Sequence, residues 1–360
     1  MLVNKEELQR VTTVKTIMMF CVLLYHTLLA LQKNGSELYQ ITLRQGLSYI
    51  VMWLNSFHIQ TFTFASGYLF YMVRYEKHGY RNGKKDIVKR WMRLLFPFYI
   101  VSILWAIPAE IFIQGGSWTV IVKNFILAIS PAQLWFLPML FWIYLVFYFF
   151  SDFIERVPIH TILALYVILY IGKLFLNRYV PLNIFQISVS IEYLLYYYMG
   201  FLFRRANVAK NSRMKDCVVL ISAFILEVIY LLLWIQVKNR FLIDLIQPLV
   251  CGFQVAAVLT ISRIFRAEKL SVFHTFQKIS KNSMGIYLFH QQILYVSMKI
   301  FTNFSPLLFV AVNFTIAFGV SYGITVILRK GKVGKLMIGE CNKLKFAWYS
   351  FIRRKNDNLQ

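Results

Sequence analysis

The chain has 360 residues, of which 59% are hydrophobic, 18% aromatic and 15% charged. A soluble protein of this length could not hide so much apolar surface, so the composition excludes a water-soluble globule and points to a polytopic membrane protein. The net charge of +24 does not mark a nucleic-acid binder, because the basic residues fall in short segments between apolar runs, the pattern set by membrane orientation.

Lys5 and Arg10 precede the apolar run Val14–Leu31, as in a signal peptide. The run is long and no clear small-x-small cleavage site follows, so it reads as an uncleaved first span. A bilayer core takes about 20 apolar residues per helix. Ten stretches qualify: 14–31, 47–72, 94–113, 133–150, 159–176, 191–203, 217–237, 245–262, 283–301 and 307–328. The sixth is too short alone and is expected to extend toward Ile187. The run from Trp118 to Ser130 is interrupted by Lys123 and Asn124 and reads as an interfacial or re-entrant piece.

With the N-terminus inside, the inner segments hold 30 of the 39 Lys and Arg residues and the outer loops hold 6. The remaining three, Lys15, Lys173 and Lys299, lie in spans near their ends. This split favours ten helices with both termini in the cytoplasm. Residues 1–328 form one all-α membrane unit. Residues 329–360 form a basic cytoplasmic tail, either an amphipathic surface segment or a solvated one. The four cysteines (Cys21, Cys217, Cys251, Cys341) show no metal-ligand spacing or disulfide framework, and no metal is expected.

Several polar groups stand where hydrocarbon is expected. His26, His58 and His290 each lie inside an apolar span, and an ionisable residue at that depth is a functional-site hypothesis by default. Arg90 and Arg93 are three apart at the foot of the third span and would share a helix face. Arginine's planar fork suits phosphate oxygens; the plainer reading is a pair that snorkels to lipid headgroups. His78, His160 and His274 fall in or beside inner loops, where solvation explains them.

Further patterns follow in order. Lys15 precedes His26 by ten intervening residues. Ser66-Gly67-Tyr68 lies in span two. Gln133-Leu134-Trp135-Phe136-Leu137-Pro138 opens span four, and Tyr197-Tyr198-Met199-Gly200 lies in span six. Asn282-Ser283-Met284-Gly285-Ile286-Tyr287-Leu288-Phe289-His290 opens span nine. Together these resemble the integral-membrane acyltransferase-3 family over almost the whole chain. The resemblance implies a ten-helix enzyme that moves acyl groups, often acetyl, from acyl-CoA to cell-envelope glycans. The family's first-span pattern is arginine, ten residues, histidine, and here Lys15 holds the arginine position. The family's RxxR matches Arg90 and Arg93, and its SG-aromatic motif matches Ser66, Gly67 and Tyr68. Many members carry a fused extracytoplasmic hydrolase-like domain; this chain is expected to act without one.

The resemblance and the residues together set the expectations. The donor implied by the resemblance is acyl-CoA, with acetyl-CoA as the family's usual form, and its phosphates are expected to be held by Arg90, Arg93 and Lys15. His26, about 18 Å along the helix from Val14, takes the proton of an acceptor hydroxyl. Glu110 is the candidate partner that orients it, with Glu192 and Glu227 as rivals. His58 and His290 are candidates for polarising the thioester carbonyl or lining the channel, with a hydrogen bond to a neighbouring helix as the plainer reading; Ser66 and Trp135 are candidates for lining the channel or binding substrate. Ser66 with Gly67 also suits close helix packing, and Trp135 with Tyr196–Tyr198 suits an interfacial aromatic belt. The expected setting is the bacterial cytoplasmic membrane, with the bilayer and a glycan or lipid-linked saccharide as partners, no nucleic acid, and room for a homodimer. The rival reading is a polysaccharide or anion transporter, which would show inverted repeats or broken helices in matching halves.

Overall fold

The computed structural model describes residues 5–34, 41–115, 117–179, 183–206, 213–236, 240–266, 269–301 and 304–340. Among them every regular element is a helix. This is the outcome that lipid imposes, because a helix satisfies its backbone polar groups within one segment.

The first apolar stretch lies in α1 (Lys5–Asn34), and the second covers parts of α2 (Ile41–Asn55) and α3 (His58–Tyr71). The break between them falls at Ser56–Phe57, where Phe57 leaves helical geometry (φ −137°, ψ −25°). A π-turn at Met72–Glu76 extends α3. The third span is α4 (Lys84–Val101), a π-turn at Ser102–Ala106, and α5 (Ile107–Gln114). Next come α6 (Trp118–Ile126), α7 (Phe136–Arg156), α8 (Ile159–Tyr179) and α9 (Ile187–Arg205). The chain continues through α10 (Arg213–Gln236), α11 (Arg240–Ile264), α12 (Phe273–Ile300), α13 (Pro306–Leu328) and α14 (Lys332–Met337).

Among the described residues all ten apolar stretches therefore fall largely in helices, and the helix of the short sixth begins at Ile187. Seven helices are long and apolar enough to cross a membrane by length and composition alone. The other three stretches are α2–α3, α9 and α12. These helices are broken at Ser56, or carry charged residues such as Arg204, Lys278 and Lys281. The run from Trp118 folds as α6, nine residues and about 14 Å long, too short to span a bilayer. It leads into a loop tied to the start of α9. Phe185 N–H donates to Leu127 O (2.8 Å), and Gln186 Nε2 donates to Ala128 O (2.6 Å).

Contacts sort the loops into two ends. At the basic end, Arg204 grips Glu76 with two bonds (2.5 and 2.8 Å), and Arg329 reaches Asn282 (2.9 Å) and Glu340. At the other end, Lys299 bonds Ile113 O, and Lys173 pairs with Glu192 (2.9 Å).

Two glycines set the tightest crossing, between α3 and α9. A Cβ on Gly67 would run into the carbonyl of Tyr197, and one on Gly200 into the carbonyl of Phe64. Both obstacles are backbone, so neither can rotate away. Small residues that let helix backbones touch are the usual glue where no hydrophobic force acts between helices. The described part of the tail is docked rather than free. Ile338 is 2% exposed, and a Cβ on Gly339 (φ +73°) would meet the Arg93 carbonyl. Residues 341–360, including Cys341 and the tail's aromatic residues, lie outside the described part.

Candidate active site: a cationic cavity beneath three histidines

A cavity of about 340 Å³ opens among α1, α3, α4, α7, α9 and α12. At the basic end it is lined by Lys15, Arg90, Arg93 and Lys281, and among the described residues Glu340 is the one carboxylate in its wall. Lys15 comes from α1, the arginines from successive turns of α4, and Lys281 from α12. Four cations from three helices thus surround one hollow, an arrangement that a run of headgroup-facing residues on a single helix would not give.

Two further features fit a phosphate-bearing ligand. Arg90 stacks over the Tyr144 ring at 4.8 Å, which holds the guanidinium plane and leaves its edge free to donate. Its Nε and the hydroxyl of Tyr197, another lining residue, are both buried with no hydrogen-bond partner. Buried donors are rarely left unmatched, so an acceptor-rich ligand would complete them.

The other end of the cavity is apolar, bounded by Val22, Ile59, Phe136 and Tyr287. Val22 is one helical turn before His26, Ile59 follows His58, and Tyr287 is one turn before His290. The lining thus ends about one turn, roughly 5.4 Å, short of His26 and His290 along their helices, and at the residue beside His58. Those three converge around one point. The His26 and His290 rings lie 5.1 Å apart, and Tyr25 packs against both His58 (4.8 Å) and His26 (5.1 Å). His58 and His290 are buried and His26 is half-buried. Helix geometry explains how two of them are held. His58 Nδ1 meets Leu54 O at 2.5 Å, and His290 Nδ1 meets Ile286 O (3.1 Å) and Tyr287 O (2.9 Å). These are carbonyls one turn back on the residue's own helix.

The remaining predicted residues are dispersed. Ser66 lines the cavity, but its hydroxyl donates to Phe62 O (3.0 Å), so no base activates it. Trp135 packs edge-on against Tyr193 (5.5 Å) near the far end. Glu110 sits half-buried on α5 and makes no hydrogen bond to His26. Its rivals are engaged elsewhere, Glu192 with Lys173 and Glu227 with Gln254 (2.9 Å). None of the three acids is joined to His26.

The sequence reading missed an amide lock beside His290. Gln133 Nε2 donates to Gln292 Oε1 (2.7 Å) and to Leu288 O (3.1 Å), and Gln292 Nε2 returns a bond to Gln133 Oε1 (3.1 Å). Tyr287 O–H donates to Gln133 O. The signal was present, since two glutamines in apolar runs must find partners. Replacing Gln292 alone by Leu should destabilise by about 1–3 kcal/mol, because it strands half of the Gln133 amide. The double change Gln133→Leu with Gln292→Leu should cost less than the sum of the single changes. Unfolding midpoints of the detergent-solubilised protein check this.

A family model described as "Acyltransferase domain" matches residues 8–328. No curated protein and no solved structure matches the chain. Among the described residues, no cluster of three or more His, Cys, Asp or Glu is placed to hold a metal.

Proposed function

The chain belongs to the integral-membrane acyltransferase-3 family, and from that premise we propose that it moves an acyl group, acetyl in the first instance, from cytoplasmic acyl-CoA to a hydroxyl of an envelope polysaccharide or lipid-linked glycan. That the protein is a membrane acyltransferase follows from the family match; the donor, the acyl group, the acceptor and the bacterial cytoplasmic membrane are parts of the proposal. One observation supports the donor assignment: one cavity is lined at its basic end by Lys15, Arg90, Arg93 and Lys281 and toward the histidines by apolar side chains such as Val22, Ile59 and Phe136. Coenzyme A has that shape and polarity, a polyanionic head on a thin arm that ends in a thioester.

In this reading Lys15, Arg90 and Arg93 hold the phosphates while the arm lies against Val22, Ile59 and Phe136. A local rearrangement of about one helical turn at the tip then brings the thioester to His26. The acceptor hydroxyl gives its proton to a neutral His26 nitrogen as its oxygen attacks the thioester carbon. The C–O bond forms, the C–S bond breaks, and the thiolate takes the proton from His26. Proton, acyl group and electron pairs all balance without an added reactant.

The test is donor binding. Replacing Arg90 and Arg93 together by Gln should raise the KM for acetyl-CoA about ten- to a hundredfold, with a smaller effect on acceptor use, as expected when charge-assisted bonds to phosphate are lost. Membranes supplied with labelled acetyl-CoA report it. An unchanged KM removes the pair from the donor site.

A further inference from the structure

Among the three histidines, His290 carries a constraint that identifies its role. It is fully buried, and its Nδ1 faces two backbone carbonyls, of Ile286 and Tyr287, at 3.1 and 2.9 Å. A carbonyl oxygen only accepts, so Nδ1 must carry the hydrogen. In the neutral ring that leaves Nε2 with a lone pair and no hydrogen. This nitrogen is buried and has no partner. A neutral His290 therefore cannot donate to a thioester carbonyl through Nε2, and the side chain offers an acceptor in search of a donor.

The donor at hand is His26. The two ring centroids are 5.1 Å apart with 48° between their planes. An N–H···N bond of about 3 Å between two imidazoles puts their centroids roughly 5 Å apart, so the observed spacing needs a turn of the rings and no shift of the helices. His58 is the less suitable partner, because Tyr25 packs against both it and His26. The groups facing His26 from neighbouring helices are thus His290 and His58, with Tyr25 beside it on its own helix and no carboxylate joined to it.

We infer that His290 is the positioning residue of His26: its Nε2 accepts the N–H of one His26 nitrogen and turns the other nitrogen's lone pair toward the acceptor hydroxyl. The inference rests on the reading of His26 as the base. It replaces the expected carboxylate with a second imidazole held by its own helix backbone. When His26 takes the hydroxyl proton, the resulting imidazolium keeps its hydrogen bond to Nε2, and the proton returns to the departing thiolate. The Gln133–Gln292 lock and the Tyr287 bond to Gln133 fix the turn of α12 that presents His290.

The test uses membranes that carry the full chain, with acetyl-CoA as donor and thiol release and acyl-glycan formation as readouts. His290→Phe keeps the ring and loses the acceptor; His290→Gln keeps an acceptor oxygen. The expected result is a fall in kcat of tenfold or more for His290→Phe with the KM for acetyl-CoA unchanged, and partial recovery in His290→Gln. A kcat within twofold of wild type in His290→Phe, while His26→Ala is inactive, overturns the positioning role and leaves the base assignment standing. Equal loss in both His290 variants with an altered KM also overturns it, since that is what a packing role predicts. Normal activity in His26→Ala, or no thiol release by the wild type, removes the reading on which the inference rests. Unfolding midpoints of both His290 variants separate lost chemistry from lost fold.

Discussion

Membranes carrying His26→Ala are expected to transfer acyl groups about 10²–10⁴-fold more slowly than wild type, the usual worth of a general base. The expectation follows from position. His26 sits about 16 Å up α1 from Lys15, one turn above the tip of a cavity whose other end is lined by cations. It is also the one member of the trio whose nitrogens are not tied to a backbone carbonyl. His58 Nδ1 and His290 Nδ1 are so tied. The KM for acetyl-CoA should change little, because His26 lies beyond the residues that line the cationic cavity. Label from acetyl-CoA recovered in envelope glycan is the measurement. Transfer at the normal rate by His26→Ala would sink the mechanism, and a raised KM with an intact kcat would recast His26 as a binding residue.

The second large effect concerns folding. Gly200→Val should abolish recovery of a monodisperse protein in detergent, and Gly67→Val should do the same. Overpacking usually costs about 1–3 kcal/mol, because flexible neighbours relax. Here the obstacles are the carbonyls of Phe64 and Tyr197, and moving them means parting α3 from α9. That parting would also disturb the hydrogen bond between Arg204 and Tyr68 (2.8 Å) and the Arg204–Glu76 pair beside it. Gly46→Ala and Gly172→Ala are the controls. Nothing lies within 4 Å of a Cβ at either position, and alanine is the better helix former. Size-exclusion profiles after solubilisation decide the matter. A monodisperse Gly200→Val would mean that the α3–α9 crossing tolerates a wider separation than its geometry indicates.

The helical class, the places of the ten apolar stretches and the extension of the sixth to Ile187 were legible in the sequence. Hydrocarbon permits few backbone solutions, and apolar length reports helices directly. The cationic end was legible too, since Arg90 and Arg93 are neighbours on one helix and Lys15 has a fixed spacing to His26. The pairing of Ser66-Gly67 with Tyr198-Met199-Gly200 could be anticipated only as a tendency, because a glycine shows that backbones can touch and never which ones do.

The neighbour of His26 was beyond reach of the sequence. Depth along a helix made Glu110 a reasonable neighbour for His26, but depth is one coordinate of three, and rotation about the helix axis decides contact. The sequence by itself determined the solvent this chain folds in, the helices it forms and the polar residues buried among them, since these follow from local composition. Tertiary structure alone decided which side chains meet: His290 rather than an acid beside His26, Gln133 with Gln292, and Glu340 in the wall of the cationic cavity. Such contacts depend on how helices pair and turn against one another, and that is set by packing summed over the whole bundle.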